Sequence, residues 1–238
     1  MNIAIAERLT SSVFRRGLQK GSSIAIGYMP VAFTFGLLAK SSGLNLFETI
    51  SMSVFVFAGA AQYISLTLFA AGISGFEIIL TTFIVNIRHL LMSASVGEQS
   101  ADEPKWKKAI YSFFITDETF ALASIQKDKI QSAFMIGLGL NVWTSWVVFS
   151  GIGFMIGSGL PSILQNSMGI ALYALFIGLL VPTARKSVKV ILLASIAAVL
   201  NSILTFTTGL STGWTIILST LIASIVVEVI WKGEKADE

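Results

Sequence analysis

Long apolar runs separated by short polar breaks dominate the chain. A helix of about 20 mostly apolar residues can cross a bilayer. The pattern predicts eight such segments, at roughly 22–39, 47–71, 76–96, 109–125, 130–156, 163–181, 188–206 and 212–231. The second and fourth are the least regular, and seven spans is the alternative count. Most connections are short, so neighbouring helices are expected to pack antiparallel. The longest polar stretch is 97–108. The fold class expected is all-α, a polytopic transmembrane bundle of seven to eight spans.

Three features predict broken helices. Tyr28-Met29-Pro30 falls inside the first segment, where proline removes a backbone hydrogen bond. Phe57-Ala58-Gly59-Ala60-Ala61-Gln62 sets a run of small residues beside an amide in the second. Gly151, Gly153, Gly157 and Gly159 loosen the end of the fifth. Close helix packing is the plainer explanation of each, since small residues let backbones approach. Gly43-Leu44 followed by Ser51-Met52 recurs as Gly159-Leu160 followed by Ser167-Met168, a faint sign of two repeated halves.

Composition decides the solvent. Of 238 residues 54% are hydrophobic and 12% charged, with a mean hydropathy of +0.80; a soluble domain carries about 25% charged residues. So much apolar surface requires lipid around it. The net charge of +3 then reflects orientation and not nucleic acid, because no aromatics interleave with a basic face. With eight spans and a cytoplasmic N-terminus, inner segments hold eleven bases: Arg8, Arg15, Arg16, Lys20, Lys127, Lys129, Arg185, Lys186, Lys189, Lys232 and Lys235. Outer segments hold Lys40, Lys105, Lys107 and Lys108. That bias places both termini inside. The Lys105–Lys108 cluster is the misfit, and a re-entrant or broken early segment would move it across. Residues 1–21 read as a retained basic cytoplasmic arm and not a cleaved signal peptide. Residues 22–231 read as the transmembrane domain and 232–238 as a charged tail.

Ionisable groups inside a membrane are functional candidates by default. Asn86-Ile87-Arg88-His89 is one cluster. Asn86 can donate and accept, Arg88 can grip a carboxylate, and His89, the one histidine, can exchange a proton near neutral pH. The plain alternative is a helix end meeting head groups. Thr116-Asp117-Glu118-Thr119 is the other cluster. Either acid could carry a coupled proton or pair with Arg88 in a switching salt bridge; the alternative is a solvated interfacial segment. Gln62, Asn141, Thr144, Ser145 and Asn201 either line a path or bond across helices. Glu77 and Glu228 read as interfacial, and Trp143, Trp146, Trp214 and Trp231 as belt or packing residues.

Enzyme signatures are scarce. No H-E-x-x-H, P-loop or G-x-S-x-G occurs, and one histidine without cysteine argues against zinc. Neither enzymatic activity nor a cofactor is expected.

Four motifs in order, Gly27-Tyr28-Met29-Pro30 with Phe35-Gly36, Phe57 to Gln62, Val85 to Leu90, and Thr116 to Phe120, give the chain its resemblance to the AzlC-type permeases. These are the large subunits of bacterial branched-chain amino acid exporters. The resemblance covers about residues 17–184. It implies export of leucine, isoleucine and valine, and of methionine or related analogues in some members. It further implies a small AzlD-type membrane partner, the proton motive force as energy source, and the bacterial inner membrane as location. From the intramembrane polarity, the residues expected at the substrate are Tyr28, Pro30, Phe35, Gly59, Gln62, Asn86 and Arg88. Asp117, Glu118 and His89 are expected to serve proton coupling. Phe33, Phe35 and Phe57 would accept an aliphatic side chain. A homo-oligomer is compatible with the sequence, and an ion channel or a carrier of another small solute is the competing function.

Overall fold

The computed structural model describes the chain apart from residues 1–2, 127, 157–158, 160, 162, 164–169, 171–173, 175–176, 179 and 237–238, with side chains over residues 11–231. Most of the predicted sixth segment lies outside the described residues. So do Lys127, Gly157, and Leu160, Ser167 and Met168 of the repeat.

The elements are α1 (Ile3–Ser41), α2 (Leu46–Phe55), α3 (Gly59–Ala70), α4 (Gly75–Gln99), α5 (Lys105–Ser112), α6 (Asp117–Ser124), α7 (Ser132–Ile156), α8 (Val188–Thr207) and α9 (Thr212–Ala236). Five helical stretches among the described residues are long and apolar enough to cross a membrane: Ser11–Ser41, Gly75–Gln99, Ser132–Ile156, Val188–Thr207 and Thr212–Trp231. The chain is a polytopic helical membrane protein. The predicted arm continues without interruption into the first span. The predicted second and fourth spans are each a pair of half-helices.

The chain divides into two compact units, Met1–Leu66 with Asn86–Gly169, and Thr67–Val85 with Ile170–Glu238. In the first, α1 and α7 run parallel along a seam of glycines. A Cβ on Gly17 would stand 2.2 Å from the Phe134 carbonyl oxygen, one on Gly36 1.9 Å from that of Ser150, and one on Gly153 2.0 Å from that of Phe33. Without side chains at these points the two backbones touch, and dispersion is collected where lipid offers no hydrophobic drive. Ser145 Oγ donates to the Ala25 carbonyl at 2.7 Å and Asn141 Nδ2 to that of Leu18 at 2.8 Å, so these two polar groups bond across helices. Gly151 and Gly153 therefore serve packing, and α7 runs unbroken through both.

The expected break at Pro30 is absent. α1 passes through Pro30, whose ring faces outward. The missing N–H frees the carbonyl of Ile26 alone, and the helix is braced on either side of it: Ser145 Oγ donates to the Ala25 carbonyl and Tyr63 Oη to the Val31 carbonyl at 2.6 Å. Gly43, at φ 88°, closes α1, with the Leu44 N–H returning to the Ala39 carbonyl at 3.1 Å.

The first real break spans Val56–Ala58. Gln62 Nε2 donates to the carbonyls of Met52 (2.9 Å) and Val56 (2.7 Å). Ten residues of straight helix would separate Gln62 from Met52 by about 15 Å, so the axis turns sharply between α2 and α3. The second break spans Phe113–Thr116. Its flanks are tied together: the Ala101 N–H donates to the Ile130 carbonyl (2.8 Å), the Ile130 N–H to that of Gln99 (3.0 Å), and the Ser132 N–H to Glu103 Oε2 (2.7 Å). Hence α5 enters and α6 leaves at one end, as a re-entrant hairpin. The same end carries Arg16, which lies 5.5 Å above the Phe134 ring. Lys105, Lys107 and Lys108 thus share a side with the N-terminal bases. Parallel α1 and α7 require an odd number of crossings between them. With α5–α6 returning and α4 crossing once, α2–α3 makes no net crossing.

In the second unit α8 and α9 form an antiparallel pair, with Lys189 Nζ 2.6 Å from Glu228 Oε2. Glu77, read from the sequence as a residue near a span end, stands in the first turn of α4 and is buried there. It accepts from the Ser211 hydroxyl and, at 3.2 Å, from the Trp214 N–H in the first turn of α9. The positive end of that helix holds the carboxylate.

Candidate functional site

Both breaks of the first unit meet at the middle of α1. Phe57, from the first, lies with its ring centroid 6.3 Å from Phe113, from the second. Tyr28 is buried beside them, 6.4 Å from Phe57 and 5.2 Å from Trp146. The Tyr28 hydroxyl is hydrogen-bonded to the Glu118 carboxylate and stands 3.3 Å from Thr116 Oγ1. One side chain of α1 thus touches the polar start of α6 and the aromatic lining of the other break.

Local sequence explains both breaks. Thr116 caps α6: its hydroxyl accepts from the Thr119 N–H at 3.3 Å, and the Thr119 hydroxyl accepts from the Thr116 N–H at 2.7 Å. Asp117 and Glu118 occupy the first turn, where the helix dipole favours anions. At α3, Ala58 precedes the helix with only a methyl group, and the first turn carries no acid. The initial N–H groups of a helix have no partner within it. The start of α3 is therefore a positive end without a side-chain cap from Ala58.

Gln62 and Trp146 hold the first break in shape. Trp146 Nε1 donates to Gln62 Oε1 at 2.8 Å, and Trp143 Nε1 to the Val54 carbonyl at 3.1 Å. Gly59 lets the indole approach; a Cβ there would stand 2.8 Å from the Trp146 ring. Both tryptophans read from the sequence as belt or packing residues; their N–H groups serve the break as well.

Arg88 Nη1 lies 2.9 Å from Asp117 Oδ2, which joins α4 to the first turn of α6. Two polar atoms near it are buried without a hydrogen-bond partner, Arg88 Nε and Asn86 Oδ1. His89 Nδ1 is 3.3 Å from the Asn86 carbonyl of its own helix.

The structure therefore gathers Tyr28, Gly59, Gln62 and Glu118 about Trp146 and the two breaks, with Arg88 and Asp117 adjoining through α6. It leaves Pro30 outside the group. Phe35 is fully buried against Trp146 and Tyr63 as a packing residue. Gln62 spends both amide hydrogens on the backbone. Phe113 is the residue sequence reasoning missed, its signal being a place just before a capped helix start.

The AzlC protein family matches residues 23–160. The inner membrane protein YgaZ of Escherichia coli K12 is 30% identical over 94% of each chain. An uncharacterized membrane protein of Archaeoglobus fulgidus is 31% identical over 74% of this chain and 78% of its own. The branched-chain amino acid transport protein AzlC of Bacillus subtilis is 25% identical over 62% of this chain and 59% of its own. No solved structure matches.

Proposed function

Because the chain belongs to the AzlC family, we propose that it is a permease exporting branched-chain amino acids. Its substrates on this reading are leucine, isoleucine and valine, with methionine as a further candidate. The proton motive force drives it, together with a small membrane partner of the AzlD type. The observation that carries the proposal is the meeting of two helix breaks on Tyr28, beside two acids. Discontinuous helices place backbone dipoles at membrane depth, where they can replace water around a charged head group.

The substrate's carboxylate would lie at the N-terminus of α3, and its ammonium against Glu118 in the first turn of α6. The rings of Tyr28, Phe57 and Phe113 would receive the aliphatic side chain. Arg88 Nε, buried without a hydrogen-bond partner, offers a further donor to the head group. The shared end of Arg16 and Lys105–Lys108 would face the cytoplasm, which removes the charge misfit of the eight-span count.

Leucine efflux from preloaded proteoliposomes tests this, with the chain alone and with its partner, each with and without a proton gradient. Saturable efflux that accelerates under the gradient is the expected result. Absence of leucine, isoleucine and valine flux in every condition would overturn the substrate.

A further inference from the structure

The two acids at the start of α6 are not equivalent. Asp117 has a fixed counter-ion in Arg88, 2.9 Å away. Among the described residues no base lies within ion-pair distance of Glu118. Its partners are hydroxyls: Tyr28 from α1, and Thr116 Oγ1, which donates to Oε2 at 3.0 Å. This carboxylate thus has hydroxyl partners and a helix N-terminus but no cation beside it. It also sits where the two breaks meet.

We propose that Glu118 is the exchange site of the carrier, holding either a proton or the substrate's ammonium but never both, while Asp117 remains the permanent counter-ion of Arg88. The inference rests on the proposed function and deepens it. Binding of a cationic ammonium needs the carboxylate free, so the arriving ammonium expels one proton. When the substrate leaves, a proton returns to Glu118. One positive charge replaces another, and outward substrate movement is tied to inward proton movement without a second device. The hydroxyls allow both states. The anion accepts from Tyr28 and Thr116; the protonated acid donates to one of them, and Tyr28 turns its own O–H toward Thr116 Oγ1, already 3.3 Å away.

The charged and titratable groups around this position are Tyr28 of α1, Asp117 of α6, and Arg88 and His89 of α4, which adjoin Asp117. Around it α3 and α7 bring Gln62 and Trp146, which do not titrate. His89 bonds to its own helix, and Arg88 is held by Asp117. Glu118 is left as the acid without a competing cation.

The test uses purified full-length protein, alone and together with its small partner, in weakly buffered detergent. Leucine addition is expected to release close to one proton per leucine bound. Leucine affinity is expected to fall about tenfold per pH unit on the acid side. Asp117→Asn keeps the release and Glu118→Gln abolishes it; Glu118→Asp retains it at a displaced pH, which separates lost chemistry from lost folding. Leucine binding without proton release, or release that survives in Glu118→Gln, would overturn the inference and leave the permease standing. If leucine does not bind, the proposed function fails, and infrared difference spectra of the ligand-free protein still decide the acid. A protonated-carboxyl band present in Asp117→Asn and missing from Glu118→Gln supports the assignment; a band that persists in Glu118→Gln overturns it.

Discussion

Gly36→Ala is expected to prevent α1 and α7 from closing. The added methyl would stand 1.9 Å from the Ser150 carbonyl oxygen and 2.7 Å from the Phe154 nitrogen. Both obstacles are backbone, so no rotamer change relieves them, and the helices must part. Parting separates Phe35 from Trp146, stacked at 6.1 Å, and loosens Ser145 from Ala25. Overpacking against a rigid neighbour costs about 3 kcal/mol, a large share of a marginal total. A marked fall in thermal midpoint in detergent, with reduced accumulation in membranes, is the expected measurement. Gly27→Ala is the control, because nothing lies within 4 Å of a Cβ there. It should change the midpoint little.

Gln62→Leu is expected to open the first break. The Met52 and Val56 carbonyls each keep one backbone donor, from Val56 and Ala58. Trp146 Nε1, on a residue only 2% exposed, keeps no acceptor. One orphaned buried donor costs about 1–3 kcal/mol, and loss of the two amide contacts frees the turn itself. The expected destabilisation is about 3 kcal/mol in total, with loss of transport. A double-mutant cycle checks the cause. Trp146→Phe removes the orphaned donor, so the pair should destabilise less than the two single changes added together. Strict additivity would show that the indole bond contributes nothing to the break.

Apolar run length made the long helices legible, because lipid imposes a length that sequence reports directly. It failed at the half-helices for the same reason: 47–71 and 109–125 are apolar enough to cross, and hydropathy does not register a change of direction. The first break was signalled by the small residues before Gln62. The second carried a signal of another kind. Thr116 followed by two acids is a helix start by capping chemistry, yet within an apolar run it read as a polar intrusion. The Lys105–Lys108 misfit was the trace of the first break, because α2–α3 makes no net crossing before that loop. Pro30 misled because its ring faces outward, and a helix braced along its other face tolerates one missing donor. The link between Arg88 and Asp117 is one of the alternatives the sequence offers. The placing of Glu118 on Tyr28 is not, since 90 residues separate them and no local pattern joins them.

The central claim is that the two breaks meet at the transport site. The chain has no cysteine, so Phe57→Cys with Phe113→Cys gives a clean pair for a short bifunctional thiol reagent in native membranes. The account expects efficient bridging, slowed by leucine, with leucine flux lost in the bridged protein and regained on reduction. Failure to bridge in ligand-free membranes, or undiminished leucine flux after complete bridging, would contradict it.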